Sequence, residues 1–224
     1  MSNFVVNRLV LGLVLVGAAV GGAGCTVARG QAQAPPPDVS AISGKQLYAA
    51  CSSCHGNAGE GNVAIGAPKI AGDPAWYVAG QLTRFQQGLR GKHPDDVEGL
   101  KMRAMARQML SDAEVKAVAG YIAGLTPVRN APTLAHADAT KGQAMFPVCA
   151  SCHGLAGEGN EALNAPHIAG LEDWYVARQL RKFKMGVRGA TAGDTIGPLM
   201  VPMANTVPDD QIDNVAAYIQ SLGK

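Results

Sequence analysis

Two short cysteine–histidine motifs contain the residues of this chain with the clearest chemistry. The sequence reads CSSCH at 51–55 and CASCH at 149–153. Two thiols at this spacing can form thioethers with the two vinyl groups of a haem, and the imidazole that follows them can bind the iron from the same side. The motifs therefore predict two covalently bound haem c groups. The residues concerned are Cys51, Cys54 and His55 in the first motif, and Cys149, Cys152 and His153 in the second.

Three other kinds of site use cysteine pairs, and each fits these motifs less well. A zinc site takes four thiolates or imidazoles, whereas each motif offers two cysteines and the chain has few spare histidines. A thioredoxin-like C-x-x-C follows a strand in a βαβ unit, and this sequence has no such pattern. Disulfides alone would not require the histidine that follows both pairs, and the chain has an odd number of cysteines, five.

The two motifs belong to one module that the chain carries twice, with an offset of 98 residues. Residues 44–91 align with residues 142–189 without a gap, and 27 of the 48 aligned positions are identical. All of the aromatic residues except Phe4 fall into pairs between the two copies. The sequence therefore predicts two modules of one fold, over 41–126 and 141–224, joined by a proline-containing linker over 127–140.

Hydrophobic spacing predicts helices in both modules, and no segment alternates cleanly enough for a strand. In the first module we predict helices over 44–50, 76–87 and 114–125, the last one preceded by a capping signature at 111–114. The matching terminal helix of the second module is predicted over 211–222. The class is therefore all-α with long glycine-rich loops. With 28 glycines and only 5% aromatic residues, the cores are expected to contain something besides side chains.

Paired methionines just beyond the aligned segment are candidates for the second axial ligand of each iron. Met102 and Met200 each end a stretch that contains glycine, predicted to be a loop, and they align at the offset of 98. Because thioether sulfur is a soft, neutral donor that favours ferrous haem, we predict Met102 and Met200 as iron ligands. Packing is predicted for Met105, Met203, Met109, Met145 and Met185.

No side chain is predicted to act as a catalyst. His93, His136 and His167 have no histidine at the matching position of the other copy, so we predict that they lie on the surface. Glu60 and Glu158 lie in paired AGEGN loops and are predicted to be turn residues.

The first 24 residues are predicted to export the chain as a signal peptide or N-terminal anchor. Residues 9–28 contain no charged side chain, and their apolar part has the length of a secretory hydrophobic region. Three interpretations stay open: a lipoprotein signal with lipidation of Cys25, an uncleaved membrane anchor, and a plain signal cleaved after Ala34. Residues 25–40, rich in Ala, Gln and Pro, are predicted to form a flexible tether at the membrane.

The combined motifs resemble class I cytochromes c, and their tandem arrangement resembles the dihaem cytochrome c4 family. The order is C-x-x-C-H-G, A-P-x-I-A-G, W-Y-x-x-x-Q-L-x-x-F, M-x-x-M-A and a terminal helix ending in Y-I-x-x-L, over 41–223. The resemblance implies two tandem helical domains related by a pseudo-twofold, with haem edges close together. It also implies that the carbonyl groups of Pro68 and Pro166 accept hydrogen bonds from His55 and His153.

The predicted function is the transport of single electrons on the periplasmic side of the bacterial cytoplasmic membrane, by an anchored or soluble periplasmic protein. The expected partners are a quinol-oxidising complex and a terminal oxidase, such as the cbb3 type, or a reductase. A net charge of +2 gives no basic surface for nucleic acid. Two alternatives stay open: the electron-transfer subunit of a dehydrogenase, and a dihaem enzyme such as a peroxidase or thiosulfate-oxidising dehydrogenase. Such an enzyme needs an open or unusual distal position, whereas both modules offer a methionine.

Overall fold

The computed structural model of the protein describes residues 42–109 and 111–223. Within these ranges the chain is helical, and its only β-type pairing consists of two isolated bridges, Asn62 with Ala67 and Asn160 with Ala165. This confirms the all-α class. The predicted signal or anchor, the tether and the lipidation of Cys25 all fall on residues 1–40, outside the described residues.

Both modules follow the same order of elements. The first contains α1 (Gly44–His55), a 3₁₀ turn (Val63–Ile65), α2 (Ala75–Gln87), α3 (Val97–Ala106) and α4 (Asp112–Ala123). The second contains α5 (Ala139–Met145), α6 (Pro147–His153), a 3₁₀ turn (Glu161–Leu163), α7 (Asp173–Lys184), α8 (Gly197–Asn205), a 3₁₀ turn (Asp209–Gln211) and α9 (Ile212–Ser221). The counterpart of α1 is split into α5 and α6, since Pro147 has no N–H to continue a helix and instead begins a new one.

Capping boxes fix where two of the helices begin. Ser43 and Ser111 each form a capping box with the residue three positions later, Gln46 and Glu114. Because Ser111 is the cap itself, α4 begins at Asp112, two residues before the predicted start. The first helix also runs further than predicted and includes the whole cysteine motif.

The segments that contain the predicted methionine ligands are helices, so the prediction of loops there is wrong. Met102 lies within α3 and Met200 within α8. The local sequence does not indicate these helices, because they contain glycine and proline, which are poor helix formers. In α3, the Asp96 side chain accepts a hydrogen bond from the N–H of Gly99 (3.2 Å) and so caps the first turn.

Each module has its own core, in which the first and last helices cross closely. Gly44 packs against the carbonyl group of Ala117, and Gly142 against that of Asn214. A β-carbon at either glycine would overlap the carbonyl oxygen, so this crossing needs glycine. An aromatic pair supports each crossing, with ring centroids 5.2 Å apart in both modules: Tyr48 with Tyr121, and Phe146 with Tyr218.

The predicted linker packs against the start of α7. The Asp173 side chain is fully buried, and it accepts hydrogen bonds from the backbone N–H groups of Thr133 (2.8 Å) and Leu134 (2.9 Å) and from the Thr133 hydroxyl (2.8 Å). The last residues of the predicted linker already belong to α5, which begins at Ala139. The connection between the modules is thus held in place by a buried carboxylate.

Candidate haem sites

The four cysteines of the two motifs lie in the second half of α1 and in α6. Cys51 and Cys149 are partly buried and pack against the cores of their modules, whereas Cys54 and Cys152 are exposed. Burial raises the pKa of the Cys51 and Cys149 thiols. None of the four described cysteines is in a disulfide. One thiol of each pair therefore faces the core and the other lies at the rim, one helical turn away.

The two histidines of the motifs are buried and face a backbone carbonyl group. Nδ1 of His55 lies 2.7 Å from the carbonyl oxygen of Pro68, and Nδ1 of His153 lies 2.8 Å from that of Pro166. Burial lowers the pKa of both imidazoles, and the hydrogen bonds oppose this effect. Because a carbonyl oxygen can only accept, Nδ1 carries the proton in each ring. Nε2 then keeps the lone pair that a metal ion binds.

The methionines predicted as ligands lie beside the same cores. Met102 packs against the core of the first module and Met200 against that of the second. Met200 and His153 line one cleft of the second module. Met203, predicted to pack, also lines this cleft, whereas Met185 is 66% exposed and is not the core residue that was expected.

The cleft of the second module extends to the boundary with the first. Its walls include Cys149, Cys152, His153, Pro166, Phe183, Met200, Val207, Tyr77, Arg90, Tyr175 and Arg188. The Nε atom of Arg90 is buried and has no hydrogen-bond partner among the described residues. A buried donor without an acceptor is unfavourable, and the carboxylates of a haem would supply acceptors. The residues present therefore fit a haem group.

An arginine cluster connects the modules at this boundary. Arg90 donates to Gln81 (2.7 Å) and Arg188 donates to Gln179 (2.8 Å), and each arginine also reaches the glutamine of the other module. Arg90 further donates to the hydroxyl of Tyr175 (3.2 Å). No ion pair of the described residues includes either arginine. Two neighbouring guanidinium groups outside any ion pair can donate hydrogen bonds to an anionic group.

These two arginines are not among the residues predicted from the sequence, although the repeat contains a signal for them. Arg90 and Arg188 are identical residues at matching positions of the two copies. Each stacks over the ring of a matched phenylalanine, with the guanidinium carbon 4.6 Å from the ring centroid of Phe85 or Phe183. The sequence could have indicated them, because the same residue stands at the matching position of both copies and follows a matched phenylalanine by five residues.

Reciprocal ion pairs hold the modules together. Arg84 of α2 pairs with Asp194 at 2.8 Å, and Lys182 of α7 pairs with Asp96 at 2.5 Å. In the repeat, Arg84 matches Lys182 and Asp96 matches Asp194. The same contact is thus made twice in opposite directions, as two domains related by a pseudo-twofold require. Lys182 also binds Glu98 at 2.7 Å.

The two glutamates of the AGEGN loops and the three unmatched histidines lie apart from the cysteine motifs in sequence. Glu60 and Glu158 accept hydrogen bonds from backbone N–H groups two residues before them, at 2.8 and 2.9 Å, which confirms their role in turns. His136 is exposed, whereas His93 and His167 are partly buried. Among the described residues, none of the helices combines the length and the apolar character needed to cross a membrane.

Comparison with known proteins agrees with this fold and these sites. The family model of cytochrome c matches residues 41–126 and 139–223. A thiosulfate dehydrogenase electron acceptor of Thiomonas intermedia is 32% identical over 98% of this chain and 93% of its own length. Cytochrome c4 of Azotobacter vinelandii is 30% identical over 81% of this chain and 89% of its own. The crystal structure of reduced cytochrome c4 from Pseudomonas stutzeri superposes with a TM-score of 0.64 at 28% identity, covering 79% of this chain and 95% of that one.

The fold and the paired sites define a dihaem c-type electron carrier made of two tandem domains. The chain belongs to the cytochrome c family, resembles cytochrome c4, and binds two haem c groups covalently.

Proposed function

We propose that each module holds its haem by two thioethers and two axial ligands. The thioether residues are Cys51, Cys54, Cys149 and Cys152, and the axial ligands are His55 with Met102 and His153 with Met200. The observation that carries this assignment is that His153 and Met200 line one cleft beside the second pair of cysteines. The first module, over residues 41–126, and the second module, from the start of α5 at Ala139, are then two complete haem-binding domains.

The side chains around each haem hold it in a fixed geometry. Haem c supplies, when bound, an iron that gains or loses one electron. The hydrogen bonds from His55 to Pro68 and from His153 to Pro166 keep each imidazole in one orientation and one tautomer. The neutral thioethers of the methionines favour the ferrous state. With one histidine and one methionine to bind each iron, no ligand would have to enter or leave when an electron is transferred.

We propose that the protein carries electrons on the periplasmic side of the membrane. The donor is a quinol-oxidising complex, and the acceptor is a terminal oxidase of the cbb3 type or a reductase. The resemblance to cytochrome c4 along most of the chain supports this role. Anchoring through residues 1–24 or a lipid on Cys25 would keep the carrier at the membrane. A soluble periplasmic protein would serve the same partners by diffusion.

We further propose that the protein is a carrier without enzymatic activity of its own. An open distal position would let carbon monoxide bind the reduced iron, whereas two filled positions exclude it. The reduced, haem-loaded protein is therefore expected to keep its visible spectrum when carbon monoxide is added. A carbon monoxide adduct at one haem would instead favour a dihaem enzyme, and assays with peroxide and with thiosulfate would then identify the reaction.

A second candidate function is the acceptance of electrons from a thiosulfate dehydrogenase. It is favoured by the relative from Thiomonas intermedia, whose name describes that role and which matches nearly the whole chain. The test is to mix the oxidised protein either with a purified thiosulfate dehydrogenase and thiosulfate, or with a quinol-oxidising complex and quinol. Faster reduction by the first donor selects this candidate, and faster reduction by the second selects the respiratory role.

A further inference from the structure

A buried carboxylate of the second module reaches the backbone beside the first haem site. Glu172, the residue before α7, is 4% exposed. Its Oε2 accepts a hydrogen bond from the backbone N–H of Lys69 (2.7 Å), and its Oε1 accepts one from the side-chain amide of Asn130 (2.7 Å). Among the described residues, no lysine or arginine forms an ion pair with Glu172.

One peptide group connects Glu172 to His55. The N–H group of Lys69 and the carbonyl group of Pro68 belong to the same peptide bond. Glu172 binds its N–H end, and Nδ1–H of His55 donates to its carbonyl end at 2.7 Å. Hydrogen bonds in such a chain polarise one another. The carboxylate therefore makes the carbonyl oxygen a stronger acceptor and gives the His55 ring more anionic character.

Among the described residues, no carboxylate takes this place beside the second haem site. The residue that matches Glu172 in the first module is Pro74, and the N–H group of His167, which matches that of Lys69, donates to no described residue. The ammonium group of Lys69 instead crosses the boundary and donates to the carbonyl oxygen of Gly170 (2.8 Å). Burial, and then the charge of Lys69, lower the pKa of His167. A negative charge thus lies beside His55, and a positive charge lies near His167, the residue after the carbonyl group that faces His153.

We propose that Glu172 and Lys69 are positioning residues that make the first haem site more strongly reducing than the second. A negative charge and a stronger hydrogen bond from the proximal imidazole stabilise ferric iron, whereas a positive charge stabilises ferrous iron. The arrangement directs electrons from the first module to the second. This inference rests on the proposed ligation by His55 and His153.

The test is a potentiometric titration of the full, haem-loaded Glu172→Gln protein. Glutamine keeps the shape and one acceptor oxygen but removes the charge. The two haems are followed separately by the NMR signals of their axial methionine methyl groups. The potential of the first haem is expected to rise, so that the equilibrium constant for electron distribution between the haems changes roughly tenfold, about 59 mV for one electron. That is the order expected for a unit charge inside a protein.

Two further variants make the result specific. Glu161→Gln removes an exposed carboxylate of the same module, and it is expected to leave both potentials near their wild-type values because solvent screens that charge. Lys69→Gln keeps the backbone N–H but removes the ammonium group, and it is expected to lower the potential of the second haem. If Glu172→Gln does not fold, the potentials of Lys69→Gln still test the proposal.

One set of results would overturn this inference alone, and a different result would overturn the proposed function as well. Unchanged potentials in Glu172→Gln and Lys69→Gln, or an equal shift of both haems in Glu172→Gln, would overturn this inference alone. A protein in which only one haem titrates would overturn the proposed function together with it.

Discussion

Two methionines in each module stand three residues apart, and only one of each pair is proposed to bind iron. Met200 and Met203 both line the cleft of the second module. Lining the cleft therefore does not distinguish the iron ligand from the methionine that packs. We expect Met102→Ala and Met200→Ala each to remove about half of the weak far-red absorption that sulfur ligation gives ferric haem. Met105→Ala is the matched control and is expected to keep that absorption. Loss of the band in Met105→Ala but not in Met102→Ala would show that the first ligand is misassigned.

Asp73 is a single carboxyl group whose protonation changes stability with pH. Burial raises its pKa to about 7, an effect that the nearby Lys69 partly offsets. Between about pH 4 and pH 7 the unfolded chain has released this proton, while the folded protein still holds it. The contribution of Asp73 to the free energy of unfolding therefore falls as the pH rises through that window, and is constant above it.

Replacing Asp73 by asparagine is expected to remove this slope and to stabilise the protein at pH 8. Denaturant unfolding of the haem-loaded protein between pH 4 and pH 8 measures the effect. Asp95→Asn, at a side chain that is 78% exposed, serves as the control and is expected to follow the wild-type profile. Parallel profiles for wild type and Asp73→Asn would rule out the raised pKa.

At this scale the sequence predicts local chemistry well and contacts between the modules poorly. The cysteines and histidines of each motif are neighbours along the chain, so their spacing alone indicates haem attachment. Glu172 lies 103 residues from Lys69 in sequence, and no local pattern indicates that the two meet. The role of Asp73 depends on its burial, which composition and spacing do not reveal.

At the scale of helices, α2 and α7 supply the cations of the reciprocal ion pairs. Lys182 on α7 is buried with Asp96, whereas its neighbour Arg181 pairs with Asp213 in a largely exposed position. Removing one partner of a buried pair leaves an uncompensated charge. Lys182→Met is therefore expected to lower the free energy of unfolding by roughly 3–5 kcal/mol.

The neighbouring exposed pair provides the matched control. Arg181→Met is expected to cost at most about 1 kcal/mol, because solvent already screens that pair. Both variants are compared by denaturant unfolding under one set of conditions. Equal losses in the two proteins would contradict the view that the ion pairs between the modules are the stronger ones.

The helices differ in how far their sequence reveals them. The terminal helices α4 and α9 have apolar residues on one face and were predicted within two residues at each end. Helices α3 and α8 were not predicted, because their glycines and prolines weaken the local preference for a helix. They form where Asp96 caps the first turn of α3 and where Ala106 and Ala204 are fully buried in the two cores. Packing thus outweighs intrinsic propensity in both.

At the scale of the whole molecule, the two modules form a joined pair. The arginine cluster, the reciprocal ion pairs and the linker bound by Asp173 all cross or cover the boundary. The repeat predicts two copies of one fold, and the resemblance to cytochrome c4 implies the pseudo-twofold. The sequence alone does not reveal the linker contacts, since Glu172 and Asp173 stand where the first copy has Pro74 and Ala75. These departures from the repeat give the pair its asymmetry.

The central claim is that each chain binds two haem groups through covalent thioethers. Mass spectrometry of the intact protein, purified from cells that mature c-type cytochromes and then denatured, tests it most directly. Denaturation releases a haem held only by axial ligands, whereas thioethers survive. The account predicts a mass that exceeds that of the polypeptide by two haem groups. A mass that shows one haem group, or none, would contradict it.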